Sequence, residues 1–102
     1  MAVMDRRWPE EQIRKALADL PGWRYEEGRI ERVFSFKVYA DAAAFAGRIF
    51  LLAEQLGHHP DAVCVMPGKV GVSFSTHEVK GVTEQDVKAA VMVNIIYERF
   101  AS

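Results

Sequence analysis

The strongest constraint on the fold is a pair of turn signals 40 positions apart, each flanked by alternating apolar residues and each followed by a helix signal. Around Glu27-Gly28 the apolar side chains are Trp23, Tyr25, Ile30, Phe34 and Phe36; around Pro67-Gly68 they are Val63, Val65, Val70, Val72 and Phe74. The echo extends to composition: Gly28-Arg29-Ile30 matches Gly68-Lys69-Val70, and Phe34-Ser35 matches Phe74-Ser75. Pro67-Gly68 has proline and glycine in the order that a type II turn favours. A doubled hairpin-plus-helix unit closes into a four-stranded antiparallel sheet with its helices on one face.

The helices follow from periodicity and caps. From Pro9 to Leu20, Ile13, Leu17 and Leu20 recur at helical spacing. Pro9 suits the first helical position, Glu10 and Glu11 favour the positive helix start, and Pro21-Gly22 ends the run. Asp41 reads as the N-cap of a second helix that stops at Gly57. Phe45, Ile49, Leu52 and Leu56 make one apolar stripe on it, while Phe50 and Leu51 fall off the stripe and call for a second contact, from another subunit. Thr83 caps a third helix running towards Phe100, with Asp86 in the capping-box position. The prediction is one α+β domain over residues 1–102, in the order α-β-β-α-β-β-α, with three helices on one face of a four-stranded antiparallel sheet.

Half of the 102 residues are apolar and 26% are charged, which suffices for a buried core and a solvated surface. The formal charge of −1 and the absence of a local basic patch argue against direct nucleic-acid or anionic-membrane binding. The first twenty residues contain no continuous apolar run, so neither a secretory signal nor a membrane span is expected. Cys64 stands alone and cannot build a disulfide or a CxxC pair. A cytoplasmic protein in a reducing compartment is expected.

The chemistry concentrates in the three histidines, His58, His59 and His77. If helix and hairpin pack as read, the end of the second helix and the end of the fourth strand face one cleft, where three imidazoles give and take protons near neutral pH. Glu54, one helical turn before His58, is placed to orient that ring, and Pro60 fixes the direction in which His59 projects. Gly57-His58-His59-Pro60 also reads simply as a helix stop, and His77 as a strand-end hydrogen-bonder. A three-histidine zinc site is the sharper rival, but adjacent histidines without HxH or HxxxH spacing argue against a metal.

These segments resemble the pterin-4a-carbinolamine dehydratase family over nearly the whole chain. The resemblance rests on Leu20-Pro21-Gly22-Trp23, Phe34-Ser35-Phe36, the Phe45 helix, Ala53-Glu54-Gln55-Leu56-Gly57-His58-His59-Pro60, Ser75-Thr76-His77-Glu78 and Gly81-Val82-Thr83-Glu84-Gln85-Asp86. It implies dehydration of a 4a-hydroxytetrahydropterin to the quinonoid dihydropterin, in the recycling that serves aromatic amino acid hydroxylases, with no metal or organic cofactor. His58, His59 and His77 are then the catalytic residues, Glu54 and Asp86 orient them, and Pro60, Ser75, Thr76 and Glu78 contact the pterin. The resemblance also implies a homodimer or homotetramer, and a nuclear as well as cytoplasmic setting for an animal member. Family members double as dimerisation cofactors, so the alternative is a non-enzymatic module that binds a helical protein partner. Three positions depart from the family pattern: Ala62 stands where a tryptophan is usual, and Met66 and Pro67 where an aromatic residue is usual, which alters the expected substrate wall.

Overall fold

The computed structural model describes residues 6–101. Its elements are α1 (Glu10–Leu17), β1 (Arg24–Glu26), β2 (Arg29–Ser35), α2 (Tyr39–Leu56), β3 (Ala62–Met66), β4 (Lys69–Phe74), a single 3₁₀ turn at His77–Val79, and α3 (Glu84–Ala101). The four strands form one antiparallel sheet in the order β1-β2-β4-β3, so the predicted architecture and element order hold.

The sheet centre explains the echo in the sequence. β2 and β4 lie side by side with Ile30 opposite Phe74, Arg32 opposite Val72 and Phe34 opposite Val70. Arg32 and Val72 are themselves 40 positions apart, so the two hairpins are related by a half-turn about that pair. The turns between the strands meet their backbone demands. Glu27 and Gly28 both have positive φ, as a two-residue type I′ hairpin requires, and Gly68 has the positive φ of a type II turn.

One face of the sheet is buried. Ile30, Phe34, Val70, Val72 and Phe74 pack against Ile13 of α1, Phe45 and Ile49 of α2, and Ala89, Ala90 and Val93 of α3. Each such side chain of aliphatic or aromatic type contributes roughly 1.5–3 kcal/mol on burial. Arg32 is the exception in this layer. Its guanidinium lies 4.3 Å from the Phe34 ring centre and donates to Pro21 O and Asn94 Oδ1, both at 2.8 Å; Asn94 Oδ1 also accepts the Trp23 indole N–H. Ring face and neutral oxygens replace water around the cation, tying the loop after α1 to α3.

Three expectations need correction. α1 is shorter than predicted: Pro9 is its N-cap, extended at ψ 153°, and the last helical residue is Leu17, although Leu20 is still buried. Asp41 is not the cap of α2, which starts at Tyr39 after an extended Val38; Asp41 lies inside the first turn, where its charge favours the positive helix end and its N–H donates to Val38 O. Trp23 lies just before β1 and Phe36 just after β2, yet both pack against the core. Phe50 and Leu51 are 54% and 64% exposed, as their position off the apolar stripe demands. Among the described residues, no helix is long and apolar enough to cross a membrane.

Candidate active site

The end of α2 determines where the first histidine goes. Gly57 takes the left-handed conformation at φ 67°, and the two bonds of a Schellman motif form: Gly57 N–H to Glu54 O and His58 N–H to Ala53 O. The chain leaves the helix at once. His58 is carried inward, where its ring stacks over Phe74 at 6.0 Å with planes 17° apart. Its Nε2 lies 2.5 Å from Asp86 Oδ1.

Asp86 is fully buried and serves two purposes. Its Oδ2 accepts the Thr83 backbone N–H at 2.9 Å, one half of the capping box predicted for α3, while Thr83 Oγ1 accepts the Gln85 N–H at 3.2 Å. Asp86 Oδ2 also accepts the Thr76 hydroxyl at 2.8 Å, and Thr76 Oγ1 is 2.9 Å from Thr83 Oγ1. Oδ1 remains for His58. The start of α3 is thereby locked to the end of β4 and to the turn after α2 by a single carboxylate. With Asp86 Oδ1 as acceptor, the donor of this contact is the N–H at His58 Nε2.

His77 has a separate partner. Its Nε2 is 2.8 Å from Asp61 Oδ1, and Ser75 Oγ donates to Asp61 Oδ2 at 2.6 Å. The hydrogen bond to Asp61, then the charge of that carboxylate, raises the His77 pKa above the ordinary histidine value; Glu78 and Asp86 add smaller contributions in the same direction. His77, Asp61 and Ser75 line an open cleft of about 400 Å³, together with Glu27, Gly28 and Lys80. His59 pairs with Glu54 at 2.8 Å on the surface, both side chains being largely exposed.

The structure therefore changes two expectations. Glu54 orients His59 rather than His58, because the left-handed turn at Gly57 takes His58 out of the helical register that would have set it one turn above Glu54. The three imidazoles do not line one cavity either: His77 alone borders the 400 Å³ cleft, while His58 is turned inward and His59 faces outward. Each ring has its own carboxylate. Of the other residues read from the sequence, Thr76 is buried beside Asp86, Ser75 reaches the cleft, Pro60 is half-buried and Glu78 is exposed in the 3₁₀ turn.

Asp61 was not legible as a site residue, since an acid after proline in a short loop carries no spacing signature. Ala62 faces away from the core beside Ser73, in a separate shallow depression with Cys64 and Gly71. Among the described residues, no three His, Cys, Asp or Glu side chains are grouped closely enough to hold a metal ion. Paired imidazoles at this end of the domain are suited to moving protons.

Comparison with known proteins identifies the family. A sequence profile described as pterin 4 alpha carbinolamine dehydratase matches residues 6–96. A protein of Sulfolobus acidocaldarius, provisionally named a pterin-4-alpha-carbinolamine dehydratase, is 36% identical over 85% of this chain and 94% of its own. A similarly named protein of Afipia carboxidovorans is 41% identical over 89% of this chain and 92% of its own. Among solved structures, a transcriptional coactivator/pterin dehydratase from Brucella melitensis superposes with a TM-score of 0.85 at 36% identity, over 90% of this chain and 99% of that one. A pterin dehydratase-like protein described as a RuBisCO assembly factor of the alpha-carboxysome shares the fold, with a TM-score of 0.62 at 20% identity, over 74% of this chain and 86% of that one. With a profile spanning most of its length and relatives above the identity that marks common descent, this chain belongs to the pterin 4 alpha carbinolamine dehydratase family.

Proposed function

We propose that the protein dehydrates a 4a-hydroxytetrahydropterin to the quinonoid dihydropterin by histidine general acid–base catalysis, without metal or organic cofactor. The observation that carries this reading is the set of carboxylate-paired histidines, His58–Asp86, His59–Glu54 and His77–Asp61. Elimination needs a proton delivered to the departing 4a-hydroxyl and another taken from a ring nitrogen, which suits imidazoles whose Nε2 is held by a carboxylate. In this reading Pro60, Ser75, Thr76 and Glu78 border the pterin, and the product serves tetrahydropterin recycling for aromatic amino acid hydroxylases in the cytoplasm. The test is a coupled hydroxylase assay in which loss of the 4a-hydroxyl is followed directly. Acceleration proportional to added protein supports the reading, and none at micromolar protein refutes it.

A second reading has its own support. Phe50 and Leu51 on α2, with Val91, Met92 and Ile95 on α3, are exposed apolar side chains, and the Brucella relative is described as a coactivator as well as a dehydratase. The protein then assembles as a homodimer or homotetramer through its helices and engages a helical protein partner. Partner binding without turnover favours this role alone.

A further inference from the structure

We infer that Asp61 is the positioning residue that makes His77 the proton donor to the departing hydroxyl, an assignment that rests on the dehydratase reading. Asp61 is fixed from several directions before it meets the ring. Its backbone N–H donates to Ser73 O at 2.7 Å, and its Oδ2 accepts the Ser75 hydroxyl at 2.6 Å. Only Oδ1 is left, and His77 Nε2 takes it at 2.8 Å. The carboxylate is 20% exposed beneath a ring that is 80% exposed, so a well-anchored anion holds an accessible imidazole at the cleft.

The other two histidines lack this combination. His58 has a rigid partner, but its ring is packed on Phe74 and Asp86. His59 is accessible, but Glu54 is a long exposed side chain that keeps its rotamer freedom. With Nε2 engaged, Nδ1 of His77 is the nitrogen that delivers the proton. In the reaction the C4a–O bond breaks with its electron pair leaving on oxygen, and the His77 proton completes a water molecule. The proton on the adjacent ring nitrogen passes to solvent water as its N–H electron pair becomes the new C=N bond, so no oxidant or reductant is needed. His77 is recharged from solvent.

The charged groups around the ring favour this role. Asp61, Glu78 and Asp86 raise the His77 pKa, and Glu27 and Lys80, which also line the cleft, offset one another in charge. A donor must be protonated, so activity is full below the raised His77 pKa and is lost as pH rises through it.

The test compares Asp61→Asn, Asp61→Glu and Ser75→Ala with the wild type, using NMR titration of His77 in the ligand-free protein and the pH profile of kcat. Asp61→Asn is expected to move the His77 titration to lower pH and the alkaline limb of kcat by the same interval. It should cut kcat near neutral pH by roughly tenfold or more while KM changes by less than about twofold. Asp61→Glu should restore part of both effects, and Ser75→Ala should give a smaller shift in the direction of Asp61→Asn. A His77 titration that moves while the alkaline limb stays in place overturns the donor assignment and leaves the dehydratase reading standing. If neither moves, Asp61 does not hold the ring. Absence of turnover in the wild type overturns the dehydratase reading, and the donor assignment with it.

Discussion

Asp86→Ala should destabilise the whole domain, because the carboxylate it removes joins three segments of chain. The side chain accepts bonds from the Thr83 N–H, the Thr76 hydroxyl and His58 Nε2, and is itself fully buried. After the substitution the two threonine hydroxyls can still bond one another across their 2.9 Å separation. One threonine hydroxyl proton, the Thr83 N–H and the His58 ring N–H are left without acceptors. A buried donor stranded in this way costs about 1–3 kcal/mol, so the three cost about 3–9 kcal/mol out of the roughly 5–15 kcal/mol that keeps a domain folded. A value of about 3 kcal/mol corresponds to a fall in Tm of roughly 12–24 °C for a chain of this size. Asp86→Asn should cost less, about 1–2 kcal/mol, since one oxygen still accepts from Thr83 and His58 can change tautomer to meet the amide. Urea unfolding followed by the fluorescence of buried Trp23 gives both numbers from the shift in midpoint at constant m. A loss below about 1 kcal/mol for Asp86→Ala, with m unchanged, would refute the claim that this carboxylate is a structural junction.

His58→Gln, His59→Gln and His77→Gln should each lower kcat with the fold intact, by up to roughly 10²–10⁴-fold where the ring transfers a proton; wild-type rates in all three would end the acid–base mechanism. Light scattering should report a dimer or tetramer, and Phe50→Glu or Leu51→Glu should weaken it; a wild-type monomer at micromolar concentration contradicts the subunit contact drawn from α2. Ala62→Trp puts an indole on the outer face of the sheet, beside Ser73 and on the same side as Ser75. A ring stacked on the pterin should lower KM by up to about tenfold per 1.4 kcal/mol with kcat little changed; an unchanged KM in a folded variant removes position 62 from the substrate wall.

The fold was written in local signals that need no tertiary information. Alternation across Glu27-Gly28 and Pro67-Gly68 set the strands, and a two-residue period leaves one choice of buried face. Gly57 ended α2 because only a residue free to adopt positive φ closes a helix in that way, and the capping box at Thr83 and Asp86 started α3. Pro9 precedes the first helical residue of α1 by one position, and α2 starts after an extended Val38 without the side-chain cap that Asp41 advertises, because backbone geometry alone can begin a helix.

The three histidines, too, were visible as residue types before their geometry was known. Their partners were not. Helical spacing assigned Glu54 to His58, whereas the left-handed turn delivered that ring to Asp86, 28 positions away, and gave Glu54 to His59. Asp61 meets His77 across 16 positions only because the start of β3 lies beside the end of β4 in the sheet. Residue identity and short-range periodicity are properties of the chain, so the sequence alone determined the elements and the kind of chemistry they carry. Which carboxylate holds which imidazole depends on directions set by turns and by strand register, and those exist only once the chain has closed on itself.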